Sequence, residues 1–197
     1  MTDQLLSLSE LRASGDLAMA RSVLLQHPPS SERTRMLAWI ERFPTTAHLR
    51  ANLEGHLTAS ALVVDGARER VLLTHHKKLQ RWLQLGGHCD GEANLVRTAL
   101  LEACEESGIG DLRIDPRPLD LDIHRIPARP SEPAHDHLDT RFVVYAPHGA
   151  VEVLSEESLE LRWFTFDELA QLETDDSVRR LVRMWHCLLY TSDAADE

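Results

Sequence analysis

Three glutamates, Glu102, Glu105 and Glu106, crowd the end of the stretch GGHCDGEANLVRTALLEACEESGI, residues 86–109. If residues 92–107 form a helix, the three stand at i, i+3 and i+4 and share one face. Like charges at that spacing destabilise a helix by about a few tenths of a kcal/mol per pair. A divalent cation reverses the sign. Carboxylate oxygens are hard ligands that suit Mg²⁺ or Mn²⁺, and Mg²⁺ usually keeps several waters and takes up substrate phosphates. A solvated acidic face is the plain alternative for a bare ExxEE. The surroundings favour the metal: Gly86 and Gly87 permit close approach of a ligand, Gly91 supports a turn, and Gly108 suits a helix end.

The opposite face of that helix must hold it in place. Val96, Leu100, Ala103 and Cys104 lie at i, i+4, i+7 and i+8, an apolar stripe that needs a core. Strands are expected from LTASALVVDG, RERVLLTHH, RWLQLGG, LDLDIHRI, DTRFVVYA and LELRWFTF, with a turn near Asp65-Gly66. The segment PARPSEPAHDH, residues 127–137, carries three prolines and reads as a loop. FDELAQL and SVRRLVRMWH read as helices. Residues 1–46 read as a helical N-terminal extension, in which Ser30 or Ser31 caps SSERTRMLAWIERFP and Pro44 stops it.

A length of 197 residues suggests one domain with an extension, and 43% hydrophobic residues suffice for a real core. A net charge of −11 disfavours nucleic acid and anionic membranes, yet leaves an anionic small substrate open because a bound cation can reverse the local field. Neither a signal peptide nor an apolar run of roughly 20 residues is evident. Cys89, Cys104 and Cys187 form no CxxC pair, and a reduced cytoplasm is the simplest home. A homodimer is compatible with the sequence.

Residues 86–109 resemble the Nudix box, G-x5-E-x7-R-E-U-x-E-E-x-G-U, where U is aliphatic. Five residues separate Gly86 from Glu92, and Glu102-Ala103-Cys104-Glu105-Glu106-Ser107-Gly108-Ile109 follows E-U-x-E-E-x-G-U. Eight residues, not seven, separate Glu92 from the arginine position, which holds Leu101; Gly87 keeps the usual distance to the glutamates. The resemblance implies an α/β fold, a Nudix-type α/β/α sandwich with a mixed sheet over residues 47–186. It also implies hydrolysis of a phosphoanhydride in a nucleoside diphosphate linked to another group, with Mg²⁺ (or Mn²⁺) held by Glu102, Glu105, Glu106 and a backbone carbonyl at Gly86 or Gly87. A catalytically weak ligand-binding module is the rival reading, and Leu101 favours it. Arginine at that position would orient a box glutamate; Arg97, one turn earlier, is a candidate replacement, although a solvated residue without a partner is the simpler expectation.

The general base comes from the box or from the acidic stretch VEVLSEESLELRWF, with Glu157 preferred beside Glu156 and Glu160. Gly87, His88, Arg141 and His137 are expected to meet substrate, the last two from a lid formed by the proline-rich loop. His124, His135, His137 and Asp139 resemble a transition-metal set, but they lack a fixed helical spacing, so the lid is preferred over zinc. Trp82 and Trp163 read as core. The tail CLLYTSDAADE, residues 187–197, resembles the in-frame translation of a transposon-end adapter used in DNA sequencing libraries. That implies a tail that is not native and makes no core contacts.

Overall fold

The computed structural model describes residues 4–130, 132–155 and 158–193. A mixed sheet lies between two helical layers. Its strands are β1 (Gly55–Val64), β2 (Arg70–His76), β3 (Arg81–Leu83), β4 (Leu85–His88), β5 (Arg113–Ile114), β6 (Asp120–Ile126), β7 (His135–Tyr145) and β8 (Ser158–Thr165). The helices are α1 (Leu17–Leu24), α2 (Ser31–Arg42), α3 (Leu95–Ser107), α4 (Phe166–Gln171) and α5 (Asp176–Asp193).

β1 and β7 run parallel through the middle, in register from Gly55 opposite Asp136 to Val64 opposite Tyr145. The other edge of β1 is shared, antiparallel, by β4 along Thr58–Ala61 and by β2 at Val63 and Val64. The outer edge of β7 is shared by β6 and β5, and β2 carries β3 and β8. Every residue of β1 is buried, as expected of a strand covered on both faces.

Alternation along β1 divides the core in two. Leu57, Ala59, Ala61 and Val63 face α3 and the N-terminal helices, packing with Val96, Leu100, Ala103, Leu24, Met36 and Ile40. Leu62 and Val64 face the other way, with Leu73, Phe164, Leu181 and Trp185. The stripe read on α3 is therefore the inner face of one layer.

Several boundaries differ from the sequence expectation. The N-terminal segment is not continuously helical. A 3-10 turn at Leu8–Glu10 precedes α1 and α2, and Leu17, Ala20 and Leu24 are buried in the main core. Ser30 caps α2 by accepting from the Arg33 amide. α3 begins at Leu95 because the Asn94 side chain accepts from the Arg97 amide, which leaves Glu92 in the preceding loop. It ends at Gly108, whose left-handed φ of 64° suits glycine. Residues 135–137, expected in a loop, open β7. α5 continues through Cys187 to Asp193 rather than stopping at 186, and Leu189 packs against the second core cluster, so the tail does reach the fold. Among the described residues, no helix is long and apolar enough to cross a membrane.

Candidate active site

β4 and α3 hold the box residues together. Pairing with β1 sets Gly86 opposite Ser60 and Gly87 opposite Ala59, while Leu100 and Ala103 anchor α3 beneath them. Glu102 and Glu106 then approach the glycine backbone. The Gly86 amide donates to Glu106 Oε2 at 3.3 Å. A Cβ on Gly87 would stand 2.5 Å from Glu102 Oε2, so only glycine leaves room for that carboxylate. Glu102 and Glu106 are half-buried and Glu105 is exposed. Glu102 and Glu106, set against the glycine pair Gly86–Gly87, with Glu105 exposed on the same helix, are hard oxygen donors of the kind Mg²⁺ or Mn²⁺ takes.

Arg50 was not singled out from the sequence. Its Nε donates to Asp90 Oδ1 at 2.7 Å. That bond raises the guanidinium above its ordinary range, and the charge of Glu102 adds to the effect. A cation thus stands beside the box, placed by the loop that joins β4 to α3.

Arg97 has a partner, contrary to the simpler expectation, but the partner is not a box glutamate. Its Nε lies 3.3 Å from Glu92 Oε2. Glu92 Oε1 in turn accepts from the amides of Ser14 and Asn94 at 2.9 and 2.8 Å. Glu92 therefore ties the N-terminal segment to the start of α3. The half-buried Leu101 supplies no donor in place of the missing arginine.

On the other face of the sheet, Arg141 and His137, expected at a lid, are β7 residues, as is His135. Arg141 is 2% exposed. Its Nε donates to Asp139 at 2.9 Å, one terminal nitrogen to Asp122 at 2.9 Å and the other to Asp120 at 3.3 Å. Arg180 of α5 joins Asp120 at 2.8 Å and Asp122 at 2.7 Å. A guanidinium so buried and bound to three aspartates is committed within the fold rather than open to a phosphate, against the substrate-binding expectation for Arg141. Asp139 is likewise consumed, accepting from Thr58 and Ser60 as well.

Further along this face the histidines meet. Register places His124 of β6 opposite His137 of β7, and His137 opposite His56 of β1. His88 lies opposite Thr58. The ring centroids of His56, His88 and His137 are 4.9–5.1 Å apart. Burial is the first cause that lowers all three imidazoles, with neighbouring charges reinforcing it: His56 falls to about 4, His137 to about 2, and His88 is also lowered. The rings are therefore neutral near pH 7. His56 is 2% exposed, and neither ring nitrogen has a hydrogen-bond partner of good geometry. A buried polar group left unsatisfied costs about 1–3 kcal/mol.

Glu157 and Glu156 lie outside the described residues. Glu160 is exposed on β8. The segment leading to Glu156 is tethered to the box helix, since the Val153 amide donates to the Ser107 carbonyl at 2.7 Å. Trp82 stacks on His75 and meets Phe164 edge-on, while Trp163 Nε1 donates to Glu152 at 2.8 Å.

The family model for the NUDIX domain matches residues 55–185, more than half of the chain. No curated protein matches. Among solved structures, the chain is similar to an Ap4A hydrolase of C. elegans in a binary complex, at 16% identity and a TM-score of 0.57, covering 68% of this chain and 98% of that one. It is similar to a NUDIX-family hydrolase from Clostridium perfringens at 22% identity and a TM-score of 0.53, covering 69% and 97%. It is also similar to the NUDIX domain of Shewanella oneidensis NrtR, complexed with ADP ribose, at 15% identity and a TM-score of 0.51, covering 79% and 97%. At such identities the structural likeness speaks for the fold, and the family model adds the lineage: this chain belongs to the NUDIX domain family.

Proposed function

We propose that the protein hydrolyses a phosphoanhydride bond in a nucleoside diphosphate linked to another group, using Mg²⁺ or Mn²⁺ held by Glu102, Glu105 and Glu106 with the Gly86 carbonyl. The observation that carries this reading is the approach of Glu102 and Glu106 to the Gly86–Gly87 backbone. An Ap4A hydrolase and an ADP-ribose-bound domain among the structural relatives support a nucleotide derivative as ligand.

When bound, the cation neutralises charge developing on the pyrophosphate and lowers the pKa of the attacking water. The protein's own part is positional. Gly87 keeps its side of β4 open to Glu102, and α3 holds the carboxylates at fixed spacing. Arg50, oriented by Asp90, stands ready beside Glu102 for a phosphate oxygen. Glu105, exposed, or Glu157 takes the proton of the attacking water. Gly87 lies on the strand along which the substrate would run, whereas His88 and His137, expected beside it, turn from β4 and β7 to the other face of the sheet.

Leu101 favours a second reading, a Nudix domain that binds its ligand with little turnover, because the donor that would orient a box glutamate is missing. Incubation with nucleoside triphosphates, ADP-ribose, dinucleotide polyphosphates and coenzyme A derivatives, with Mg²⁺ or Mn²⁺, separates the two. Metal-dependent release of phosphate or nucleotide, lost in Glu105→Gln, supports the enzyme; binding without release supports the module.

A further inference from the structure

We propose that His56, His88 and His137 form a second metal site, for a zinc-class divalent cation, on the sheet face opposite the box helix. The site is independent of the hydrolytic reading. It draws its ligands from three strands, β1, β4 and β7, whose register is fixed by pairing of β7 along the whole length of β1 and of β4 along Thr58–Ala61. One ligand nitrogen from each ring lies within 4.8 Å of the others. Ligands of tetrahedral zinc stand roughly 3.4 Å apart, given Zn–N distances of about 2.0–2.1 Å. Rotation of the half-buried His88 ring is the adjustment the site needs.

Imidazole suits zinc, copper, iron and nickel, whereas Mg²⁺ prefers oxygen. The two sites are thus chemically distinct: oxygen donors at the box, nitrogen donors here. His56 supplies an independent sign of a missing ligand. It is 2% exposed, and neither of its ring nitrogens has a hydrogen-bond partner of good geometry. A cation coordinated by one of them would satisfy it.

His135 orients the set. Its Nδ1 lies 2.9 Å from the Pro133 carbonyl, which only accepts, so Nδ1 carries the proton. In the neutral ring, Nε2 of His135 is then an acceptor, and His137 Nε2, 3.2 Å away, donates to it. The lone pair of His137 is left on Nδ1. A ring whose second nitrogen is held by a hydrogen bond is the usual state of a metal-ligating histidine. Three imidazoles leave a fourth position for water or for an anionic ligand group, as in zinc sites that retain an open position.

The full-length protein is dialysed against micromolar Zn²⁺ with millimolar Mg²⁺ present to occupy the box, and bound zinc is measured by elemental analysis. One zinc per chain is expected in the wild type and in Glu105→Gln. Since second-shell changes alone cost about 10–100-fold in metal affinity, His88→Asn should weaken zinc binding by more than about tenfold. X-ray absorption at the zinc edge of the wild-type protein needs no variant, and should show a nitrogen shell with imidazole outer-shell scattering. Zinc binding equally tight in His88→Asn, zinc lost only in Glu105→Gln, an oxygen-only shell, or no bound zinc would each overturn the proposal.

Discussion

Gly87 and Glu102 stand so close that a single methyl group on the glycine would overlap the glutamate's carboxylate, with Cβ 2.5 Å from Oε2. The clash is with the far end of a flexible side chain, so the backbone can survive it while the carboxylate cannot stay where it is. Gly87→Ala is therefore expected to change stability by no more than about 1 kcal/mol, near the scale of ordinary substitutions, yet to weaken Mn²⁺ binding. Gly86→Ala is the contrast. Its Cβ would meet Ser60 Cα at 2.6 Å and the Ala59 carbonyl at 2.7 Å, at a φ of 149°, so it should unfold the protein at lower temperature. Thermal melts and Mn²⁺ titrations of both variants check the pair.

Metal should stabilise the fold, because it removes the mutual repulsion of Glu102, Glu105 and Glu106. Linkage gives roughly 1.4 kcal/mol at ten times Kd. Melting curves with and without saturating Mn²⁺ measure this; identical curves would remove the box from the list of metal sites. The experiment is run on Glu105→Gln as well, where the increment should shrink.

Leu101→Arg should raise kcat. Arg97, the candidate replacement, is committed to Glu92, and Leu101 precedes Glu105 by one helical turn. A restored charge-assisted hydrogen bond is worth roughly 1.5–3 kcal/mol, or about 10- to 150-fold if all of it appears in the transition state. A fall in kcat on introducing arginine would show that these glutamates are oriented in another way.

Arg141 is expected to matter for folding rather than for substrate. Arg141→Met leaves Asp139 buried without its cation and Asp120 with Arg180 alone, and breaking such a buried pair typically costs about 3–5 kcal/mol. Chemical denaturation measures the loss. An unchanged midpoint with a raised KM would return Arg141 to the substrate site.

The same network sets an acid limit. Burial alone pushes the Asp122 carboxyl up, but the His124 bond, the Arg141 charge and the contacts of Arg180 outweigh it and hold the group well below the ordinary carboxylate range. Asp120, Asp139 and Ser177 complete its surroundings. A folded-state pKa that is depressed contributes stability above the unfolded value, and that stability is lost as pH falls. Stability should therefore decline below about pH 5, and Asp122→Asn should flatten that decline. Urea midpoints across the acid range check both.

The box was legible in the sequence because its information is local. Gly86, Gly87, the apolar stripe of α3 and Gly108 act within 24 residues of one another, and helix periodicity alone puts the glutamates on one face. The central strands were legible for the same reason, as apolar runs bounded by turn residues. What the sequence concealed is long-range register. His56 and His137 read as unrelated until the parallel pairing of β1 and β7 sets them side by side. The prolines of residues 127–137 mark a loop correctly, but the loop closes before His135, because the acids and histidines that follow are one strand's alternating faces. Arg141 looked like a phosphate ligand because three aspartates from two strands and an arginine from α5 meet only in the folded sheet.

The central claim is that the box carboxylates, through a divalent metal, hydrolyse a phosphoanhydride. The most direct measurement is turnover of nucleoside diphosphate derivatives by the wild-type protein with Mg²⁺, compared with Glu105→Gln at matched concentration and with chelator added. The account predicts release of phosphate or nucleotide that requires the metal and is lost in the variant. Turnover that survives both chelation and Glu105→Gln, or no turnover of any such substrate by wild type, would contradict it.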